Sequence, residues 1–289
     1  MSVRIASGRV SMRSLKGNST QALFTSFARI VGRAKRDGTE LKRSVGELMW
    51  SASPEGRRNQ LELLSHKGRF AGRRCFIMGN GPSLLKCDLS LLKGEVTICS
   101  NANYLIWDTM GFTPHYLTVE DRLVAEDRAD ELFKLNSITR IYPRDLSYCL
   151  KKDEDVIYID FVRDYQQFPK FTDKFEKIVY WGGTVSVLNL QLAYYLDCRE
   201  IYLIGFDHEY NVPDRVVDNV ITSDVDDVNH IHPNYFGKGY RWHDPNLARM
   251  EQAYLEARRF LEQHGVSVKN ATVGGKLEVF ERVNYQHLF

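Results

Sequence analysis

From residue 73 onward, short apolar runs alternate with longer stretches of helical character, and few folds accommodate such an order. The runs cover residues 74–78, 96–100, 116–118, 140–142, 156–159, 177–180, 200–204 and 266–269. Each is strand-length, and most are rich in β-branched or aromatic residues. Between them, residues 122–132 read as a polar, well-charged helix. Residues 184–196 are apolar nearly all round, as suits a helix packed inside a domain. Residues 245–264 form an amphipathic pattern with Leu247, Met250, Tyr254, Leu255, Ala257 and Leu261 on or near one face, and Gly265 follows as a stop signal. Strands alternating with helices predict an α/β domain: a mostly parallel sheet with helices on its faces. Such sheets bind ligands at the carboxyl ends of their strands.

That rule gathers polar residues that are otherwise scattered. The first run ends in Gly79-Asn80-Gly81-Pro82-Ser83, the second in Ser100-Asn101-Ala102-Asn103, and the third in Glu120-Asp121. The run at 177–180 leads into Trp181-Gly182-Gly183-Thr184-Val185-Ser186, and that at 200–204 into Gly205-Phe206-Asp207. Gly-x-Gly after a strand brings backbone N–H groups to a phosphate, or simply makes a strand-to-helix turn. No Gly-Lys-Ser/Thr and no third glycine follow, so a phosphate would be held by main-chain N–H groups, the Asn80 amide and hydroxyls such as Ser83. Asn101 and Asn103 suit a ribose or a base, because an amide both donates and accepts. Asp207 either meets the ligand or caps the next element.

The total charge of +2 hides an asymmetry. Residues 1–74 hold sixteen Lys and Arg against five Asp and Glu, a net of +11, which leaves −9 for the rest. Ala22, Leu23, Phe27, Ile30 and Val31 recur at helical spacing, with Arg29, Arg33, Lys35 and Arg36 between or after them. The division expected is therefore a basic helical arm over 1–69 and an α/β body over 70–289. The arm suits an anionic membrane surface, a contact with the acidic body or a homo-oligomer contact; nucleic acid is not an expected partner. With no spanning segment, no leader pattern and five cysteines without CxxC spacing, the chain reads as a cytoplasmic protein.

Residues 208–244 carry no strong helix or strand pattern but hold His208, His230, His232 and His243. A long irregular stretch inside a compact domain is commonly functional, and a lid over the strand ends is the reading adopted. A competing reading places a metal on His230 and His232 with Asp224, Asp226 and Asp227, or Mg²⁺ on Glu120, Asp121 and Asp207.

GNGPSL, SNAN, GGTVS, REIYLIGFDHEY and NATVGGKLEVFERV, in that order, resemble the motility-accessory-factor (Maf) glycosyltransferase and 6-hydroxymethylpterin pyrophosphokinase-like family. The first four are also similar to bacterial sialyltransferases that use CMP-sialic acid. The resemblance covers about residues 70–285. It implies a single glycosyltransferase-A-like (Rossmann-like) domain, with no metal and no tightly bound cofactor. Carried over, the residues that would contact a CMP-linked donor are Asn80, Gly81, Ser83, Asn101, Thr184 and Ser186; Gly79, Pro82, Asn103 and Asp207 join the expected site from the strand-end reading. The resemblance also implies a histidine base in the segment 229–237, assigned to His232 or His230, and Tyr235 or Tyr240 at the leaving phosphate. The implied function is inverting transfer of a nonulosonic-type sugar to a surface glycan, glycolipid or protein in polysaccharide biosynthesis, peripherally at the inner membrane face. A pterin-type pyrophosphokinase using ATP and Mg²⁺ is the alternative, and a non-catalytic nucleotide-binding protein the third reading.

Overall fold

The computed structural model describes residue 43, residues 45–212 and residues 216–289. The amphipathic helix expected near residues 22–31 lies outside the described residues. Contacts divide the chain into one unit up to Arg57 and a larger one, Arg58–Phe289. In the first, residues 45–52 are helical, and the Ser53 N–H closes that stretch on the Trp50 carbonyl at 2.9 Å. The helix α1 covers Pro54–Ser65.

The larger unit is built on eight parallel strands. They are β1 (Arg74–Met78), β2 (Val96–Ser100), β3 (Tyr116–Thr118), β4 (Thr139–Pro143), β5 (Val156–Ile159), β8 (Glu200–Ile204), β11 (Ser267–Asn270) and β12 (Glu281–Arg282). Their order is β12-β11-β8-β1-β2-β3-β4-β5, and every pair in it is parallel. The chain steps outward from β1 to β5, then returns to place β8 on the other flank of β1. The direction of winding therefore reverses between β1 and β8, which is where open α/β sheets form a crevice.

Interior strands of a parallel sheet are covered on both faces, so they read as continuous apolar runs rather than alternating ones. Cys75–Met78 and Val96–Ser100 are buried at every position. One cover is α5 (Val185–Tyr195), which packs on β1, β2 and β3 and against α6 (Leu247–Gln263). α5 buries Leu188, Leu190, Leu192 and Ala193 together with two polar residues, Asn189 and Gln191. Both are satisfied: Asn189 Oδ1 accepts from Thr118 Oγ1 at 2.5 Å, and Gln191 bonds both the N–H and the carbonyl of Tyr180. A buried amide without such partners would cost roughly 1–3 kcal/mol.

Gln191 also accounts for a departure from expectation. The run at 177–180 does not join the main sheet. Only Val179–Tyr180 (β7) is extended, and it pairs with Phe161–Val162 (β6) in a separate two-stranded sheet. The Gln191 amide occupies the main-chain groups of Tyr180 that a further neighbour would use. The helix read at 122–132 is likewise two helices, α3 (Arg122–Asp127) and α4 (Ala129–Phe133), broken at Arg128. A short α2 (Trp107–Met110) follows β2. At the outer strand β5, the Asn59 side chain of α1 donates to the Tyr158 carbonyl and accepts its N–H, both at 2.8 Å. Among the described residues, no helix is long and apolar enough to cross a membrane.

Candidate active site

The turns after β1 and β8 lock together at the reversal point. Gly79 N–H donates to Ile204 O and Gly81 N–H to Gly205 O. A Cβ built at Gly79 would lie 2.3 Å from the Gly205 carbonyl oxygen, and one at Gly81 1.9 Å from Asp207 Oδ2. Glycine leaves room here for the Gly205 main chain against Gly79 and for the Asp207 carboxylate against Gly81. Asp207 Oδ2 in turn accepts both the N–H and the hydroxyl of Ser83. Three N–H groups of the 79–83 turn, those of Gly79, Gly81 and Ser83, are thus committed to β8 and the residues after it. The turn fastens strand ends, and its grip on a phosphate cannot come mainly from those three groups.

The asparagines form a layer beside it. Asn80 Nδ2 donates to Ser100 Oγ, Asn103 Nδ2 donates to Asn80 Oδ1, and Trp107 Nε1 donates to Asn103 Oδ1. Asn103 is fully buried and positions Asn80. Asn101 adopts a left-handed conformation, φ 55°, which turns it into the crevice. Its Oδ1 is buried with no partner among the described residues, and its amide is a hydrogen-bond neighbour of the Tyr235 hydroxyl.

The stretch 208–244 is more ordered than its sequence suggests. It contains the antiparallel pair β9 (Val220–Thr222) and β10 (Arg241–His243), with β10 packed on α3. Arg241 binds Asp127 and Glu126. The buried Arg128 donates to the carbonyls of Asn234 and Tyr235, binds Glu131, and lies over the Tyr240 ring. Ile231 N–H donates to Asn80 O at 2.9 Å, which joins this stretch to the β1 turn.

Here the two candidate histidines separate. His230 Nδ1 lies 2.7 Å from Asp227 Oδ2, and its ring stacks on Tyr235 with centroids 4.2 Å apart and planes 6° apart. Burial alone would raise the Asp227 carboxyl, but the hydrogen bond from His230 and the N–H groups of Asn229 and Phe236 outweigh it and hold its pKa below the ordinary value. A carboxylate held ionised fixes the imidazole's orientation and supports its positive charge when it takes a proton. His232 lies outside the crevice, and its Nδ1 accepts the Asn234 N–H. Among the described residues, no three His, Cys, Asp or Glu side chains stand together as metal ligands; Asp227 meets His230 and main-chain N–H groups, and His232 meets the Asn234 N–H.

A second constellation lies at the end of β3. Glu120, nearly buried, accepts from Trp181 Nε1 and from the Arg163 guanidinium. Burial pushes its carboxyl up to about 7, against the opposing pull of Arg163. Asp121 caps α3 and holds His243 at 2.7 Å. Beyond it, Thr184 caps α5 through the Ser186 N–H, and the Tyr254 hydroxyl neighbours both side chains. Arg249 of α6 lies over the Trp181 ring at 4.4 Å.

These groups line one cleft of about 730 Å³. Of the residues named from sequence, it brings together Gly79, Asn80, Gly81, Asn101, Glu120, Asp121, Thr184, Ser186, Asp207, His208, His230, Tyr235 and His243. It leaves Pro82, Ser83, Asn103 and His232 outside its lining. Arg163 and Arg249 also line it, and Asp227 adjoins it through His230. The three-residue spacing of Asp227 and His230 was the readable sign for that pair; Arg163 and Arg249 arrive from distant elements with no local sign.

The model of the family described as 6-hydroxymethylpterin diphosphokinase MptE-like matches residues 52–213, more than half of the chain. Among curated proteins, none matches the sequence. A solved structure of a MAf glycosyltransferase from Magnetospirillum magneticum AMB-1 is similar at 19% identity and a TM-score of 0.46, over 81% of this chain and 39% of that one. The chain thus spans well under half the length of that structure.

Proposed function

The chain belongs to the MptE-like family, and from its cleft we propose that it is a glycosyltransferase using a nucleotide-activated sugar. The observation that carries this reading is the His230–Asp227 pair set into a cleft at the sheet's reversal point, a cleft that Asn80 and Asn101 also line with neutral donors. Inverting transfer needs a base for the acceptor hydroxyl and donors for the leaving phosphate. His230 is the base of this reading, in preference to His232. Asp227 orients it, and Tyr235 supports its ring by stacking. The donor proposed is CMP-linked and carries a nonulosonic-type sugar; the acceptor is a glycan, glycolipid or protein in surface polysaccharide synthesis. The basic arm fits work at an anionic membrane face.

Thermal unfolding with CMP, CDP, UDP, GDP and ATP, with and without EDTA, tests the donor class, because a ligand that binds only the native state raises its melting temperature. Stabilisation by CMP in EDTA is the expected result. A shift seen only with ATP and Mg²⁺ would move the chemistry to diphosphate transfer. Deleting residues 1–50 is expected to weaken association with anionic liposomes while leaving transfer to a soluble acceptor unchanged. Equal liposome binding by the truncated chain would remove the membrane role.

A further inference from the structure

A second histidine–carboxylate pair faces the same cleft, and the base reading makes no use of it. His243 ends β10 with Nδ1 2.7 Å from Asp121 Oδ2. The other oxygen of that carboxylate accepts the Leu123 and Val124 N–H groups at the start of α3. Asp121 is therefore fixed from both sides, and the imidazole with it. With Nδ1 given to Asp121, the remaining ring donor is Nε2, on a side chain 43% exposed within the cleft lining.

The charged groups around this ring are Asp121 and Arg122 at the start of α3, Glu120 just after β3, Arg163 just after β6 and Asp244 next along the chain. Arg163 is itself tied to Asp145 and Glu120. The hydrogen bond to Asp121 outweighs burial and raises the imidazole above its ordinary value, so it carries a proton to higher pH than a free histidine.

Position gives the pair a role. His230 is joined to the end of β1 through the Ile231–Asn80 bond, and His243 to the end of β3 through Asp121. One strand, β2, lies between. Neighbouring strands lie about 4.8 Å apart, so the two anchors stand roughly 10 Å apart along one sheet edge. Inverting displacement at a sugar carbon places its two proton-handling groups on either side of that carbon, in hydrolases roughly 6.5–9.5 Å apart.

We propose that His243, held by Asp121, donates from Nε2 to an oxyanion of the sugar donor, on the side of the reacting carbon away from His230. This rests on the glycosyltransferase reading. In the transfer, the acceptor hydroxyl gives its proton to His230 and its oxygen bonds to the anomeric carbon. The bond from that carbon to the phosphate oxygen breaks, and its electron pair stays on the phosphate. A phosphate oxygen and the carboxylate of an acidic sugar offer the same chemistry to the imidazolium.

Imidazole NMR titration of His243 in the full-length protein separates the sources, with CMP, inorganic phosphate and N-acetylneuraminate as probes. A shifted resonance with a higher pKa in CMP or phosphate assigns the phosphate; the same response to neuraminate alone assigns the carboxylate. If none of the three moves His243, the proposal fails. For a responding anion, His243→Gln is expected to weaken binding about 10- to 100-fold near pH 6 and to flatten its pH dependence. Wild-type affinity should hold while the ring is protonated and fall as pH rises through its raised pKa. His243→Arg should keep the affinity and lose the pH dependence. Asp121→Asn, which retains a good helix cap, should move the midpoint to lower pH. A His243→Gln protein with the wild-type pH profile overturns the assignment. If CMP stabilises that variant as it does the wild type, the proposed function stands without it.

Discussion

His230 and His232 stand two residues apart and meet different surroundings. His230 has an ionised carboxylate at Nδ1, a tyrosine beneath its ring and the cleft before it; His232 has a main-chain N–H and solvent. His230→Ala is expected to lower turnover by about 10²- to 10⁴-fold with donor affinity nearly intact, and His232→Ala to leave turnover close to wild type. Steady-state kinetics on the two variants check this, and the reverse pattern would return the base to His232. The sequence could not choose between them, because which imidazole meets Asp227 depends on the turn that carries Ile231 N–H to Asn80. The Gly-x-Gly turn was legible as a turn, but its partner was not. Gly81 meets Asp207, 126 residues away, and no local pattern announces that contact.

Among the elements, continuous apolar runs located β1, β2, β5 and β8 well, because strands covered on both faces need no alternation. The pattern failed where side chains take over main-chain bonding. Gln191 draws Tyr180 away from the main sheet, and Arg128 interrupts a helix to reach the carbonyls of Asn234 and Tyr235. The stretch 208–244 looked irregular because its order comes from those distant anchors rather than from periodicity. Arg128→Met should therefore loosen it selectively. Charge-assisted bonds are each worth roughly 1.5–3 kcal/mol, so amide exchange over residues 231–241 should speed up about tenfold or more, with β1 to β3 unaffected. Unchanged exchange in 231–241 would mean that Arg128 is not the anchor.

For the whole molecule, Glu120 ties stability to pH. Its folded-state pKa of about 7 lies above the ordinary 4.5, so the folded chain holds this proton more tightly than the unfolded one. The stabilisation from that proton is fully present below pH 4.5 and is lost as pH rises to about 7. The loss is about 3 kcal/mol if the shift is fully realised. Glu120→Gln, which cannot ionise, should gain stability relative to wild type across that window. Denaturant melts at pH 5 and pH 8 measure the difference, and parallel pH profiles for the two proteins would show that Glu120 titrates normally. The bond from Asn59 to Tyr158 has a use of its own. The amide proton of Tyr158 is shielded by a side chain from a helix almost a hundred positions earlier, not by another strand. Its solvent exchange should therefore read out how firmly that helix is seated, a one-atom gauge that stays silent about breathing of the sheet beside it.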